Sequence, residues 1–495
     1  MRTADHDPTT AGSGAGLASD ALEHHVASPQ GRGHRPRCGH DGAAGGAACG
    51  DLVRISIAVE GDRVADAGFD ASGCGAAQAA GSAAVALVRG RPLLGAARVG
   101  VHDVADELGG LSPGKLHAAE LAADALHRAL GAAAWSDARA TRVATRTLVA
   151  MSGGVDSSVV ALMSGDDAVA VTVELWADEE HDPEHSCCSA SAVRGARALA
   201  HSLGLPHFTL DLRDRFRAGV VDPFLAAHAD GETPNPCVRC NGNVRLDDML
   251  ALADGLGAAT LATGHYARIA TDGEGPLLRA AADPAKDQTY MLCAVAPATL
   301  DRLRFPLGEL RKPQVRERAA AAGLAVADRP DSQDLCFLAG TDRERFLARH
   351  GGIHSRPGQI VDAQGRDVGR HRGAHAFTVG QRRGLGIGGS EQPLYVVRTD
   401  ARANRVVVGR REDLRRTHVG VRAATLLRGG ARVDRVKLRY RAAPLPGRLA
   451  RPTAAAGRHR RLDVALDEPV LGAAPGQVAC LMDGDLVIGH GVIAG

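Results

Sequence analysis

Aromatic residues are scarce, with eight Phe, four Tyr and two Trp in 495 residues, which argues against a long single-strand channel lined by stacking rings. Lysine is scarcer still: only Lys115, Lys286, Lys312 and Lys437 stand among fifty-nine basic residues. No uninterrupted apolar run reaches the length of a membrane span, and Met1 to Asp7 open without an apolar leader. A cytoplasmic location with no membrane partner is therefore expected. Strong net charge is also missing. The formal balance is +2, so contact with nucleic acid must come from a local patch. No repeat at a solenoid period is visible.

Cysteine, by contrast, is plentiful. Ten in a chain of this length, with close sets such as Cys187-Cys188 and Cys237-Cys240, read as reactive thiols or metal ligands and not as a small secreted disulfide framework. The pattern divides the chain. Residues 1–36 read as a disordered tail. Residues 37–130 read as a small α+β unit, with alternating Val53, Ile55, Ile57 and Val59, a turn at Gly61, and helices over Ala76 to Arg89 and Lys115 to Leu130. A linker is expected over 131–146. Residues 147–350 alternate strand and helix, which implies an α/β domain on a parallel sheet. Short strands separated by Gly and Pro then suggest two β-rich modules, 351–414 and 415–495.

Ser152-Gly153-Gly154-Val155-Asp156-Ser157-Ser158 falls between a buried-type strand and a helix. Glycines there let backbone amides approach a phosphate at the helix start. The absence of a Walker lysine disfavours γ-phosphate transfer. The loop resembles the PP-loop of ATP pyrophosphatases. Further on lie Thr233-Pro234-Asn235-Pro236-Cys237-Val238-Arg239-Cys240, Ala262-Thr263-Gly264-His265-Tyr266, Lys286-Asp287-Gln288, Asp331 to Phe337 with Cys336, and Gly380-Gln381-Arg382-Arg383-Gly384-Leu385.

From about Thr147 onwards this set resembles the tRNA-specific 2-thiouridylases, the MnmA family. The resemblance implies a Rossmann-like PP-loop domain, a small central domain and a C-terminal β-barrel that grips tRNA. It implies ATP- and Mg²⁺-dependent replacement of the wobble uridine 2-oxygen by sulfur, with release of AMP and pyrophosphate. Ala150, Met151, Ser152, Gly153, Gly154, Val155, Asp156, Ser157, Val173 and Gly264 then fall at ATP positions. Asn235, Pro236 and Cys237 fall at the target base, and Lys286, Asp287, Gln288, Arg439 and Tyr440 at tRNA positions. Cys336 would carry a persulfide and Cys240 would release the sulfur, with a Cys240–Cys336 disulfide at turnover; both thiols are expected to be exposed. The same atoms admit another reading, in which Cys237, Cys240 and Cys336 hold a 4Fe-4S cluster. Departures from the family occur at Ser191, Ala192, Gly195, Gly242, Asn243 and Arg245-Leu246.

Over roughly Cys38 to Leu130 the chain resembles the IscU/NifU-type iron-sulfur scaffolds, which implies a ligand set at Cys49, Asp51, Cys74 and His117 for zinc or a labile cluster. Ala118 stands where a third scaffold cysteine would follow His117. A cysteine desulfurase or sulfur-relay protein is the implied partner besides tRNA, and a monomer or weak dimer is expected. Two other readings remain open: a different PP-loop ATP pyrophosphatase, and a non-enzymatic iron-sulfur carrier with a relic PP-loop domain.

Overall fold

A computed structural model describes residues 14–45, 50–178, 189–331, 335–338, 340–388 and 392–495. At the front, β1 (His40–Gly45), β2 (Leu52–Glu60) and β3 (Arg63–Ser72) form an antiparallel sheet in the order β1-β2-β3. The alternation in β2 buries Val53, Ile55, Ile57 and Val59, and Gly61 turns the hairpin. Helices Gly75–Val88 and Leu116–Ser136 pack against this sheet.

Two expectations about this region are corrected. Residues 14–36, assigned to a disordered tail, contain the helix Gly14–Ala27 and a strap that bonds Gly31 and Gly33 to the backbone of Phe69. Buried His25 reaches Ser82 Oγ at 2.8 Å. Gly- and His-rich composition concealed an order that comes from these tertiary contacts. The linker expected from residue 131 is instead the last part of the helix Leu116–Ser136. Gly131 reads locally as a helix stop, yet it is there for close approach: a Cβ on it would lie 1.9 Å from the carbonyl oxygen of Thr209.

The central sheet comprises β4 (Val143–Ala150), β5 (Ala168–Glu174), β6 (His207–Asp211) and β7 (Ala258–Ala262). A hairpin of β8 (Arg268–Asp272) and β9 (Gly275–Arg279) follows, and β10 (Leu303–Arg304) completes the sheet in the all-parallel order β10-β7-β4-β5-β6. The chain leaves β4 toward β5 on one side and returns as β7 on the other. The carboxyl end of β4 is thus the switch point where open α/β sheets bind ligands.

A four-stranded sheet follows, made of β11 (Gly358–Val361), β12 (Asp367–His371), β13 (Tyr395–Asp400) and β14 (Arg405–Gly409) in the order β12-β11-β14-β13. The last module contains β15 (Arg415–Leu426), β16 (Arg435–Lys437), β17 (Leu445–Leu449), β18 (Gly457–Leu471), β19 (Val478–Asp483) and β20 (Leu486–Ile493). Their order β15-β18-β17-β16-β19-β20, with β15 also paired to β20, closes a barrel. The hairpin β8–β9 joins this barrel through β9–β20 pairing, so a piece of the central domain is woven into the terminal one.

The front and central domains share one continuous core. Arg128 forms a two-pronged pair with Glu174 at 2.6 and 2.9 Å, and Asp124 receives Arg194 and Arg197 at 2.7 Å each. Buried His127 places its ring nitrogens 2.8 and 2.9 Å from the carbonyls of His207 and Val99, and the neutral ring donates its single N–H to one of them. This is a packed interface, not a flexible tether.

Candidate active site and metal centre

The phosphate loop follows β4 and opens the helix Val155–Met163. Gly153 takes φ +70°, a left-handed conformation that favours glycine. Inside the loop, the Ser152 N–H donates to Ser157 Oγ at 3.1 Å, and the hydroxyls of Ser157 and Ser158 donate to the Gly154 carbonyl at 3.1 and 2.8 Å. These bonds fix the turn that aims the backbone amides at a ligand.

A cavity of about 1070 Å³ opens above the loop. It is lined by Ala150, Met151, Ser152, Gly154, Val155, Asp156, Ser157, Val173 and Gly264 from the expected nucleotide set, and by Pro236, Cys237, Cys240, Cys336, Lys286, Asp287, Gln288 and Tyr440 from the expected base, sulfur and tRNA sets. Residues spread over almost three hundred positions thus meet around one space. Gly153 is not part of the lining, but its carbonyl accepts from Arg329 at 3.0 Å.

Asn235 caps the short helix Pro236–Cys240, accepting from the Cys237 and Val238 N–H groups at 3.1 and 3.3 Å. That helix carries both cysteines. Cys240 is buried and Cys336 partly buried, which corrects the expectation of exposed thiols. Access is through the cavity, because the inner face of the helix packs into the core with Val238. Burial also raises the Cys237 thiol above its ordinary pKa, leaving it a poor nucleophile near neutrality.

Several charged groups around the cavity are paired. Lys286 meets Asp331 at 2.6 Å, Asp287 meets Lys437 at 3.0 Å, and Gln288 accepts the Tyr266 N–H at 2.9 Å. Burial tends to raise Asp331, but the ammonium groups of Lys286 and Lys312 outweigh it and hold the carboxyl at about 2. His265, half-buried beside Thr263 Oγ1 at 2.8 Å, is pushed down by desolvation to about 3 and stays neutral. Arg439 lies outside the lining, where its guanidinium holds the carbonyls of Leu471 and Gly472.

A second constellation sits in the front domain. Asp51 precedes β2, Cys74 caps the helix Gly75–Val88, and His117 lies in the first turn of Leu116–Ser136. Asp51 Oδ2 lies 3.2 Å from Cys74 Sγ and 3.3 Å from His117 Nε2. The backbone N–H and thiol of Cys74 hold the Asp51 carboxyl below its usual range. Among the described residues this is the group of donors that converges on one point, all within 4.8 Å of one another. Cys49, Cys187 and Cys188 lie outside the described residues. Ala118 is fully buried, and exposed Cys38 is not part of the group.

Four family models match in sequence along the chain: a NifU-like N terminal domain over 18–137, a tRNA methyl transferase HUP domain over 145–340, a tRNA methyl transferase PRC-barrel domain over 344–410, and an aminomethyltransferase beta-barrel domain over 428–493. The bifunctional protein NifU/MnmA of Rubrobacter xylanophilus is 45% identical over 492 residues, covering 95% of this chain and 97% of the relative. The chain belongs to the bifunctional NifU/MnmA family. Two tRNA-specific 2-thiouridylases MnmA match the rear part: that of Rhodospirillum centenum at 45% identity over 70% of this chain and 91% of its own length, and that of Zymomonas mobilis at 42% over 71% and 93%.

The NifU/MnmA architecture accounts for the fold order read from the sequence, including the parallel sheet, the scaffold-like front domain and the terminal barrel. Geometry bears on two of the positions read above as departures. At Gly242 a Cβ would lie 2.9 Å from the Ala294 carbonyl oxygen, so a larger side chain would collide. Arg245 lines the cavity while Leu246 is fully buried. Sequence reasoning missed Lys312, Lys437, Arg329 and Tyr266 as parts of the site. The two lysines were signalled only by the rarity of lysine, since three of the four gather here, and Tyr266 by the motif from Ala262 to Tyr266; Arg329 carried no signal.

Proposed function

We propose that the chain is an ATP-dependent tRNA 2-thiouridylase in which Cys336 carries sulfur and Cys240 resolves it. The observation that carries this reading is that the phosphate loop, Cys240 and Cys336 open onto the same cavity. Uracil's carbonyl oxygen is a poor leaving group, so activation must come first. The uridine 2-oxygen attacks the α-phosphorus of ATP, a P–O bond to pyrophosphate breaks, and loop amides receive the developing charge. The terminal sulfur of a Cys336 persulfide then attacks C2, and the C2–O bond breaks with release of AMP. Finally the Cys240 thiolate attacks Cys336 Sγ. The electron pair of the S–S bond stays on the transferred sulfur as the thiocarbonyl, and a Cys240–Cys336 disulfide remains for an external thiol to reduce. Asp156 is the carboxylate in the loop suited to hold Mg²⁺ beside the phosphates, where the ion would neutralise the leaving pyrophosphate.

The partner RNA would be a folded tRNA, bound by the β-rich modules through arginines such as Arg382 and Arg383. In the front domain Asp51, Cys74 and His117 suit a zinc ion or a labile iron-sulfur unit, with the fourth position left to Cys49, water or a sulfur-donating partner such as a cysteine desulfurase. Without a third cysteine at Ala118, this site is read as a metal or docking site, not as a sulfur acceptor.

A second reading rests on the three thiols that line the cavity: Cys237, Cys240 and Cys336 would hold a 4Fe-4S cluster. One experiment separates these. Anaerobically purified protein is incubated with unmodified tRNA, ATP and Mg²⁺, in one arm with a cysteine desulfurase and cysteine, which deliver sulfur already at the persulfide level, and in the other with sulfide alone, and nucleosides are read by mass spectrometry alongside iron content. Formation of 2-thiouridine with AMP by iron-free protein in the desulfurase arm, and not with sulfide alone, supports the persulfide route. Product that requires about four irons per chain supports the cluster, and absence of both product and AMP would sink the thiolation reading.

A further inference from the structure

Lys312 begins the helix Lys312–Ala321 and is buried, yet it does not line the cavity. It sits behind two residues that do. Its Nζ lies 2.7 and 2.8 Å from the two carboxylate oxygens of Asp156 and 2.8 Å from Asp331 Oδ1. The Tyr266 ring covers it at 5.9 Å, and the Tyr266 hydroxyl donates to Asp156 Oδ1 at 2.7 Å. Asp331 in turn receives Lys286 and, at 3.3 Å, Arg316.

One ammonium therefore joins two segments with different tasks. Asp156 belongs to the phosphate loop, whereas Asp331 stands five residues before Cys336. Composition strengthens the case. In a chain whose basic residues are overwhelmingly arginine, a lysine stands where a compact point charge meets three carboxylate oxygens under a ring face. A planar guanidinium does not reproduce that geometry.

We infer that Lys312 is a positioning residue that couples the nucleotide site to the sulfur-carrying segment, holding Asp156 and Asp331 in one register so that activation of the substrate and presentation of Cys336 occur together. The inference deepens the proposed function and rests on it for the identity of the reaction. The coupling itself is independent of what the thiol attacks. A magnesium-bound triphosphate at the loop alters what surrounds Asp156, and Lys312 transmits the change to Asp331.

The test uses the full chain and two readouts. The first is the rate of Cys336 alkylation by iodoacetamide, followed by peptide mass spectrometry, with and without Mg²⁺-ATP. ATP is expected to change that rate at least threefold in the parent chain and not in Lys312→Met, Lys312→Arg or Asp331→Asn, while ATP binding measured by equilibrium dialysis persists. The second is 2-thiouridine formed per AMP released, expected to fall at least fivefold in the same variants, with Lys312→Met/Asp331→Asn no worse than the weaker single variant. Asp331→Asn is nearly isosteric and keeps the test open if Lys312→Met does not fold. An alkylation rate indifferent to ATP in the parent chain overturns the coupling. So does a product-to-AMP ratio unchanged in the variants, which would mean a merely structural lysine. ATP-sensitive alkylation without any 2-thiouridine would instead leave the coupling standing and remove the thiolation reading.

Discussion

Cys240 and Cys336 line one cavity only because the fold brings them there; ninety-six positions separate them in the chain. Cys240→Ser and Cys336→Ser are each expected to lower thiolation at least a thousandfold while leaving tRNA affinity within twofold, as read by nucleoside mass spectrometry and filter binding. Normal product from either variant would remove that thiol from the chemistry. Cys237 invites a contrasting expectation. Its thiol is held up by burial, so Cys237→Ser should retain product formation if persulfide carries the sulfur and lose it if a cluster does. Of the residues that sequence motifs assigned to substrates, several are engaged within the protein. Asn235 caps a helix, Asp287 faces Lys437, and Arg439 holds backbone carbonyls. A motif marks a position, whereas the side chain's partner depends on neighbours that local sequence does not contain.

At the scale of elements, the turn from β4 into Val155–Met163 and the short helix Pro236–Cys240 carry the site. Alanine at Gly153 would have to adopt φ +70°, at about 1–2 kcal/mol; a weaker nucleotide affinity with an unchanged tRNA affinity is the expected result. Asn235→Ala removes the cap that accepts two backbone N–H groups, at about 1 kcal/mol. Thermal unfolding should register that loss, and thiolation should slow because both Cys237 and Cys240 ride on this turn. The alternation of strand and helix in the central domain was legible from apolar runs and their spacing, and the parallel sheet β10-β7-β4-β5-β6 answers to it. The hairpin β8–β9 escaped notice because Arg268–Arg279 is only half buried, and its pairing with β20 lies more than two hundred positions away.

For the whole molecule, the front and central domains are expected to unfold together. Arg128→Met would leave the buried Glu174 carboxylate without its partner, at about 3–5 kcal/mol, and should lower the melting temperature of both domains at once in calorimetry. Two separate transitions would contradict a shared core. His127, His201 and His207 meet at this interface, and burial, reinforced by Arg197, lowers all three below the ordinary 6.5. Below that pH the unfolded chain takes up protons that the folded interface refuses. Stability is therefore full above about 6.5 and falls with acidification, by about 1.4 kcal/mol per pH unit for each fully buried ring. Melting temperatures from pH 7.5 to 5.5 test this, and His127→Gln should flatten the curve.

The sequence by itself determined the order of the modules, the parallel sheet, the phosphate loop and the positions of the cysteine motifs, because these rest on local periodicity and on contiguous motifs. Only the tertiary structure decided the rest. It turned a supposed linker into a rigid helix through the close approach at Gly131, ordered residues 14–36 against Phe69 and Ser82, buried Cys240 at the edge of a cavity, and placed Lys312 between Asp156 and Asp331. Each of these depends on contacts between residues far apart in the chain, and no window of neighbouring residues encodes which distant carbonyl or carboxylate will be met.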